Sequence, residues 1–190
     1  MSTIILLVVL AAVALWVVGA YNGLVSLKNQ VVNAWKQIDV QLKRRHDLIP
    51  NLVNTVKGAM NFERSTLDAV ISARNRAVSA TGVQQTAQAE GELTQALGLL
   101  FALTEAYPDL KATANVAQLQ EELTSTENKI GFARQLYNDV ATQYNTKQML
   151  FPTSLIAGLA QAAPVELWQL EDAAERAVPI VDLSMNKPAP

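Results

Sequence analysis

His46 and Asp47 stand side by side in "KRRHDLIPNLV" (residues 43–53), a pairing of the kind that metal-dependent phosphohydrolases use as ligands. Such a site needs further histidines and another aspartate, and His46 is the only histidine in the chain. Neighbouring helical residues also point about 100° apart, which makes joint chelation of one ion difficult. The pair therefore reads as a histidine on a helix surface beside a basic cluster. Di-iron bundles require Glu-x-x-His motifs on facing helices, and Glu121, Glu122 and Glu127 have no histidine to complete one. A carboxylate cluster for Mg²⁺ or Ca²⁺ is the remaining metal alternative, although "PDLKATAN" (108–115) lacks the oxygen spacing of an EF-hand loop. There are no cysteines, which removes thiolate chemistry, disulfides and sulfur-ligated metals. No glycine-rich phosphate loop, nucleophile elbow or kinase signature occurs. The sequence thus assigns no catalytic, cofactor-binding or metal-ligating residue, and the expectation is a protein that is not an enzyme.

Arg45 is a different case. Val31, Trp35, Ile38, Leu42, Arg45, Ile49, Leu52 and Val56 alternate at spacings of four and three, a heptad seam whose single polar member is Arg45. A guanidinium on a seam needs a partner, and Glu105 and Asp109 of "TEAYPDL" are the candidates. An ion pair fixing helix register, a regulatory or oligomer contact, and a side chain reaching out to solvent are the three readings. Tyr137-Asn138 and Tyr144-Asn145 recur at a spacing of seven and share one side of a helix, with Tyr21-Asn22 as a third copy. Seam tyrosines bury the ring and bond through the hydroxyl, so core packing is expected there, with a partner-binding strip as the alternative.

The elements that position these residues are helices almost throughout. Residues 1–27 carry no charged side chain, and from Ile4 to Ala20 the run is apolar apart from Gly19. About 20 such residues cross a bilayer, and Trp16 and Tyr21 suit its interfaces. A cleaved signal peptide is the competing reading, opposed by the uncharged N-terminus and the length of the run. Lys28, Lys36, Lys43, Arg44 and Arg45 follow the span, which places the body in the cytoplasm and the N-terminus outside. Gly19 and Gly23 form a G-x-x-x-G pattern through which two spans could approach.

Beyond the span, the first seam continues the same helix, with a kink expected at Pro50 and an end near Gly58. A second helix is expected over 62–80, with Phe62, Leu67, Val70, Ile71 and Val78 inward. "SATGV" (79–83) marks a turn, and a third helix over 84–105 turns Leu93, Leu97, Leu100 and Phe101 inward. After a break at Pro108, Asn115 and Gln118 form a capping pair for a fourth helix. Its seam runs Val116, Leu119, Leu123, Thr126, Ile130, Ala133, Tyr137, Val140 and Tyr144. The fold class is all-α, an N-terminal transmembrane helix continuing into an antiparallel four-helix bundle. The organisation is an anchor over 1–27, a bundle over 28–150 and a tail over 151–190. That tail packs on the bundle, a neighbouring subunit or the membrane surface, with Trp168 and Leu170 as its contacts. "VPIVDL" (178–183) is a short strand-like stretch.

Net charge is −2, which argues against nucleic-acid binding. The charge is segregated: residues 28–76 are net basic and residues 90–127 net acidic. The two segments are either packed together, within or between subunits, or form two solvated faces.

"YNGLVSLKNQVVNAWKQIDVQLKRRHDLIPNLVNTVKG", "ARNRA", "LTEAYPDLKATANVAQLQEELTSTENKI", "FARQLYNDVATQYN" and "FP" resemble, in order and spacing, the LemA family of bacterial membrane proteins over residues 21–152. The resemblance implies an N-terminal membrane helix followed by an antiparallel helical bundle, and no established enzymatic activity. Relatives include a protein needed to form magnetosome membranes, which implies a role in membrane organisation. The expected function is a self-assembling, membrane-anchored scaffold that organises or remodels the lipid bilayer as a homo-oligomer, without a cofactor. The alternative is an adaptor that recruits a membrane-protein partner, such as a protease, a kinase or a stress-response protein, through the bundle surface.

Overall fold

A 58-residue helix, α1 (Ser2–Ala59), runs without interruption from the uncharged N-terminal segment into the body of the protein. The computed structural model describes residues 1–59, 64–107 and 114–169. Within them follow α2 (Arg64–Ser79), α3 (Val83–Glu105), α4 (Ala114–Met149) and the single turn α5 (Ser154–Ala157), with no strand among the described residues. Phe62, Pro108, Asp109, Leu170 and the strand-like stretch 178–183 lie outside the described residues.

The two parts of α1 are built for different surroundings. Ile4, Leu7, Val13 and Leu15 are each more than half exposed, so this segment is apolar outward and long enough to cross a membrane. Further along, Val31, Ile38, Leu42, Arg45, Ile49, Leu52 and Val56 are buried, and Trp35 is half-buried. The helix passes through Pro50 and ends at Ala59.

α4 lies antiparallel to α1 along the body. Val31 and Ile38 share a core with Ala133, Tyr137 and Tyr144, whereas Ile49, Leu52 and Val56 share one with Val116 and Leu123. The α2–α3 hairpin covers mainly the second core, through Leu67, Val70, Ala73 and Ala77 of α2 and Leu93, Leu97 and Leu100 of α3. Four helices therefore surround the core only in the half remote from the apolar segment. In the nearer half α1 and α4 form a pair, closed by Val83 and Ala87 at the start of α3 and by Val165, Leu167 and Trp168 of the tail. Truncating a fully buried residue such as Leu52 to alanine costs about 2–5 kcal/mol.

Three local features depart from the expected pattern. Val78 is exposed, because α2 turns Leu67, Val70, Ala73 and Ala77 inward and Val78 lies a residue beyond that stripe. On α4 the buried positions run through Tyr137 to Ala141, Tyr144 and Gln148, leaving Val140 half-buried. A helix of 3.6 residues per turn drifts against a strict heptad, and two successive steps of four correct the drift. Asn115 lies inside α4, which starts at Ala114, and is therefore not its N-cap. α2 and α3 are joined through Gly82, whose φ of 80° is disfavoured for residues with a Cβ and whose carbonyl accepts the Thr86 N–H.

Candidate functional site

Arg45 is 2% exposed and is held by partners on two other helices. Its Nη1 lies 2.7 Å from Oε2 of Glu127 on α4 and 3.5 Å from the Glu90 carboxylate on α3. Its Nη2 donates to Oγ1 of Thr94 at 2.7 Å and to the Glu90 carbonyl at 3.4 Å. Glu90, itself 3% exposed, also accepts from Nε2 of His46 at 2.6 Å. Arg45 and His46 thus approach one buried carboxylate from adjacent positions of α1. Burying charge is tolerable only when it is paired and hydrogen-bonded in this manner.

Two expectations are corrected here. Arg45 meets Glu127 and Glu90 and not Glu105, which is exposed near the end of α3, two heptads beyond Glu90 and so far from Arg45's level. His46 is not a surface residue, because its side chain is 12% exposed and turned onto Glu90. Asp47 does face solvent, where Lys43 bonds to it at 2.7 Å, and that bond lowers its pKa below the ordinary value.

Pro50 has no N–H to offer the carbonyl four residues back, which is that of His46. Nε of Arg74 on α2 donates to this carbonyl at 2.8 Å, restoring the missing bond from a neighbouring helix. Two further arginines reach acids of the same chain: Arg44 lies 4.0 Å from Glu122, and Arg76 donates to Glu92 at 2.9 Å. Through Arg44, Arg45 and Arg76 the basic segment thus meets the acidic one within the protomer.

The tail is held by the tyrosine–asparagine repeat. Nδ2 of Asn145 donates to the Val165 carbonyl at 2.8 Å while its Oδ1 accepts the Val165 N–H at 2.9 Å. Asn138 repeats both bonds with Trp168, at 3.0 and 2.8 Å. The spacings match: seven helical residues rise about 10.5 Å, and three extended residues about 10 Å. Each amide side chain thus treats the tail backbone as a neighbouring strand would. The Tyr137 hydroxyl donates to the Glu166 carbonyl at 2.7 Å, and its pKa is raised, first by burial and then by the Glu166 charge. Tyr144 is buried, and its hydroxyl has no hydrogen-bond partner among the described residues. The Trp168 ring packs 6.0 Å from that of Trp35, which lies edge-on to Tyr137 at 5.4 Å, and the Arg134 guanidinium sits 5.2 Å from the Trp168 centroid.

Beside Trp168 a cleft of about 500 Å³ opens between α3 and α4, reaching Arg45, Glu90, Gln88 and Glu127. Among the described residues no group of three His, Asp or Glu side chains could share a metal ion. The network's charged groups engage one another, and the arrangement is suited to holding helices and a tail in register. Gly19, Gly23 and Tyr21 lie outside it: a Cβ on either glycine would meet nothing within 4 Å, and Tyr21 is exposed. Sequence reasoning missed Glu90, Thr94 and Arg74. The seven-residue Tyr-Asn repeat was the signal for the tail contact, but it did not indicate what the asparagines hold.

These features define a class of protein, a helical bundle continuous with an N-terminal apolar helix and stapled by its own extended tail. The chain belongs to the LemA family, whose family model matches residues 34–183. It is similar to a protein LemA of Metamycoplasma hominis, 29% identical over 157 residues that cover 82% of this chain and 71% of that protein. It is also similar to the magnetosome proteins MamQ 1 and MamQ 2 of Paramagnetospirillum magneticum, each 22% identical over 181 residues. Those matches cover 82% of this chain and 66% of each magnetosome protein. Family membership and the apolar N-terminal helix fit a membrane-associated protein.

Proposed function

We propose that this protein is a non-enzymatic, single-span scaffold of the bacterial inner membrane, with its bundle in the cytoplasm, that self-assembles to organise or remodel the bilayer. The observation that carries the reading is an apolar groove between α1 and α4, on the half of the body nearest the span. Val40, Phe132 and Leu136 are exposed there, between Lys36 and Lys129. A second copy is the proposed occupant. Membrane-anchored copies stand side by side at one height, which brings this groove level with itself and raises the effective concentration. Gly19 and Gly23, open on the span, would allow the apolar helices to approach as well. The likeness to two magnetosome proteins supports a role in membrane organisation by analogy. Full-length protein in mild detergent should sediment as an oligomer at micromolar concentration, and Phe132→Glu should shift it toward monomer. A wild-type monomer under those conditions would sink the scaffold reading.

The cleft beside Trp168 favours a second reading, an adaptor that receives a foreign membrane-protein partner at the bundle surface. Isolation from native membranes separates the two: predominant self-contacts support the scaffold, and one stoichiometric foreign protein supports the adaptor.

A further inference from the structure

The Arg45–Glu127 bond fixes the register of α1 against α4. Seventeen residues before Arg45 is Lys28, the first charge after the apolar run, and seventeen after Glu127 is Tyr144. The next charge on α4, Lys147, is thus close to the height of Lys28, and both lysines are exposed. Twenty-two residues from the same bond lie Gly23 on α1 and Met149 at the end of α4. α4 therefore runs past the last charged level and ends alongside the uncharged part of α1. Residues 148–165 then contain no charged side chain, and the next charge, Glu166, lies back on the body, where its carbonyl meets Tyr137.

The surface of this stretch matches its composition. Met149, Leu150, Phe151, Leu155 and Leu159 are each more than half exposed. Ile156 of α5 is buried, Leu24 of α1 is 1% exposed, and α5 packs against both α1 and α4, which holds the loop against the end of the apolar segment. An exposed apolar cluster of this size calls for a covering surface. Its height on α1 says which.

We propose that residues 149–161 form a second membrane contact, a loop that dips into the headgroup and upper acyl region of the bilayer beside the span, with Lys28 and Lys147 marking the water boundary. The contact rests on the reading of residues 1–27 as a membrane anchor. It makes attachment two-point and fixes the rotation of α1 about its own axis, because only one face of α1 carries the loop.

Because the chain has no cysteine, single substitutions can place a nitroxide at chosen positions in the full-length protein. Leu155→Cys and Leu159→Cys report on the loop, Val13→Cys on the span and Ser125→Cys on the exposed face of α4, each in phospholipid nanodiscs. Labels at 155 and 159 should relax with oxygen and resist an aqueous nickel chelate, as at Val13 and opposite to Ser125. Nickel access at 155 and 159 with lipid protection at Val13 overturns the loop contact and leaves the anchor standing. Nickel access at Val13 as well removes the anchor reading and the loop contact with it. Dipolar broadening at 155 that vanishes on dilution with unlabelled protein would show a second copy covering the loop, and it too overturns the proposal.

Discussion

The Arg74 guanidinium supplies the hydrogen bond that Pro50 withholds, reaching from α2 to the His46 carbonyl at 2.8 Å. A proline in a helix interior costs about 3 kcal/mol, partly through that orphaned carbonyl. The pairing explains how α1 continues past Pro50 to Ala59.

A double-mutant cycle tests the relationship. Arg74→Ala should destabilise the bundle by about 1 kcal/mol, since it leaves a partly buried acceptor open. In a Pro50→Ala background the helix supplies its own donor, and the cost of Arg74→Ala should fall by about 1 kcal/mol. Equal costs in both backgrounds, measured by urea unfolding in detergent, would mean that Arg74 does not serve the proline.

Arg45→Met removes the principal cation facing Glu90 and should destabilise the fold by about 3–5 kcal/mol. Glu127 is 41% exposed at its side chain, so Glu127→Gln should cost only about 1 kcal/mol. Adding Glu90→Met to Arg45→Met should recover most of the loss, as removal of both members of a buried pair leaves no unpaired charge. Unchanged stability and assembly of Arg45→Met alone would remove its role in setting register.

Asn145→Leu keeps the size of the side chain and abolishes both bonds to Val165. Tail undocking should become easier by about 1–3 kcal/mol, each lost pair leaving backbone groups unsatisfied. Amide exchange at residues 165–168 should accelerate while exchange in α2 and α3 stays the same. Acceleration spread over the whole bundle would count against a local clamp.

Tyr137 gives the tail contact a pH dependence. Its folded pKa is raised above the ordinary value of 10.0, so the stabilisation is fully present below about pH 10. It is lost as pH rises through the folded value, where the ionised phenol can no longer donate to the Glu166 carbonyl. Tryptophan fluorescence in a Trp16→Phe chain, which leaves Trp35 and Trp168, both at the tail contact, should report undocking in that alkaline range, whereas Tyr137→Phe should dock less tightly but show no such transition. A transition of the same size in Tyr137→Phe would assign the effect to another group.

The helices and the seams of α1 and α4 were legible because burial on one side of a helix repeats every three or four residues, a local pattern. The drift from Val140 to Ala141 was not, since an alanine carries little apolar signal and the correction depends on accumulated twist. Arg45 stood out as the single polar member of its seam, with a buried ion pair as one of three readings. Its partners were not, because Glu90 and Glu127 lie 45 and 82 residues away and only the three-dimensional register selects them over Glu105. His46 was placed on the surface for the same reason: nothing near it in the chain announces Glu90. The asparagines carried a period and no partner, because the tail they hold has no periodicity of its own.

The unbroken course of α1 has a mechanical consequence. The 32 residues from Lys28 to Ala59 extend about 48 Å beyond the apolar segment. Membrane helices commonly tilt by about 20°, so a change of some 10° swings the far end of the bundle by about 8 Å. With the apolar segment anchored in a bilayer as proposed, the protein would act as a lever whose short arm lies in lipid, and small changes in bilayer thickness would emerge as displacements of the α2–α3 hairpin.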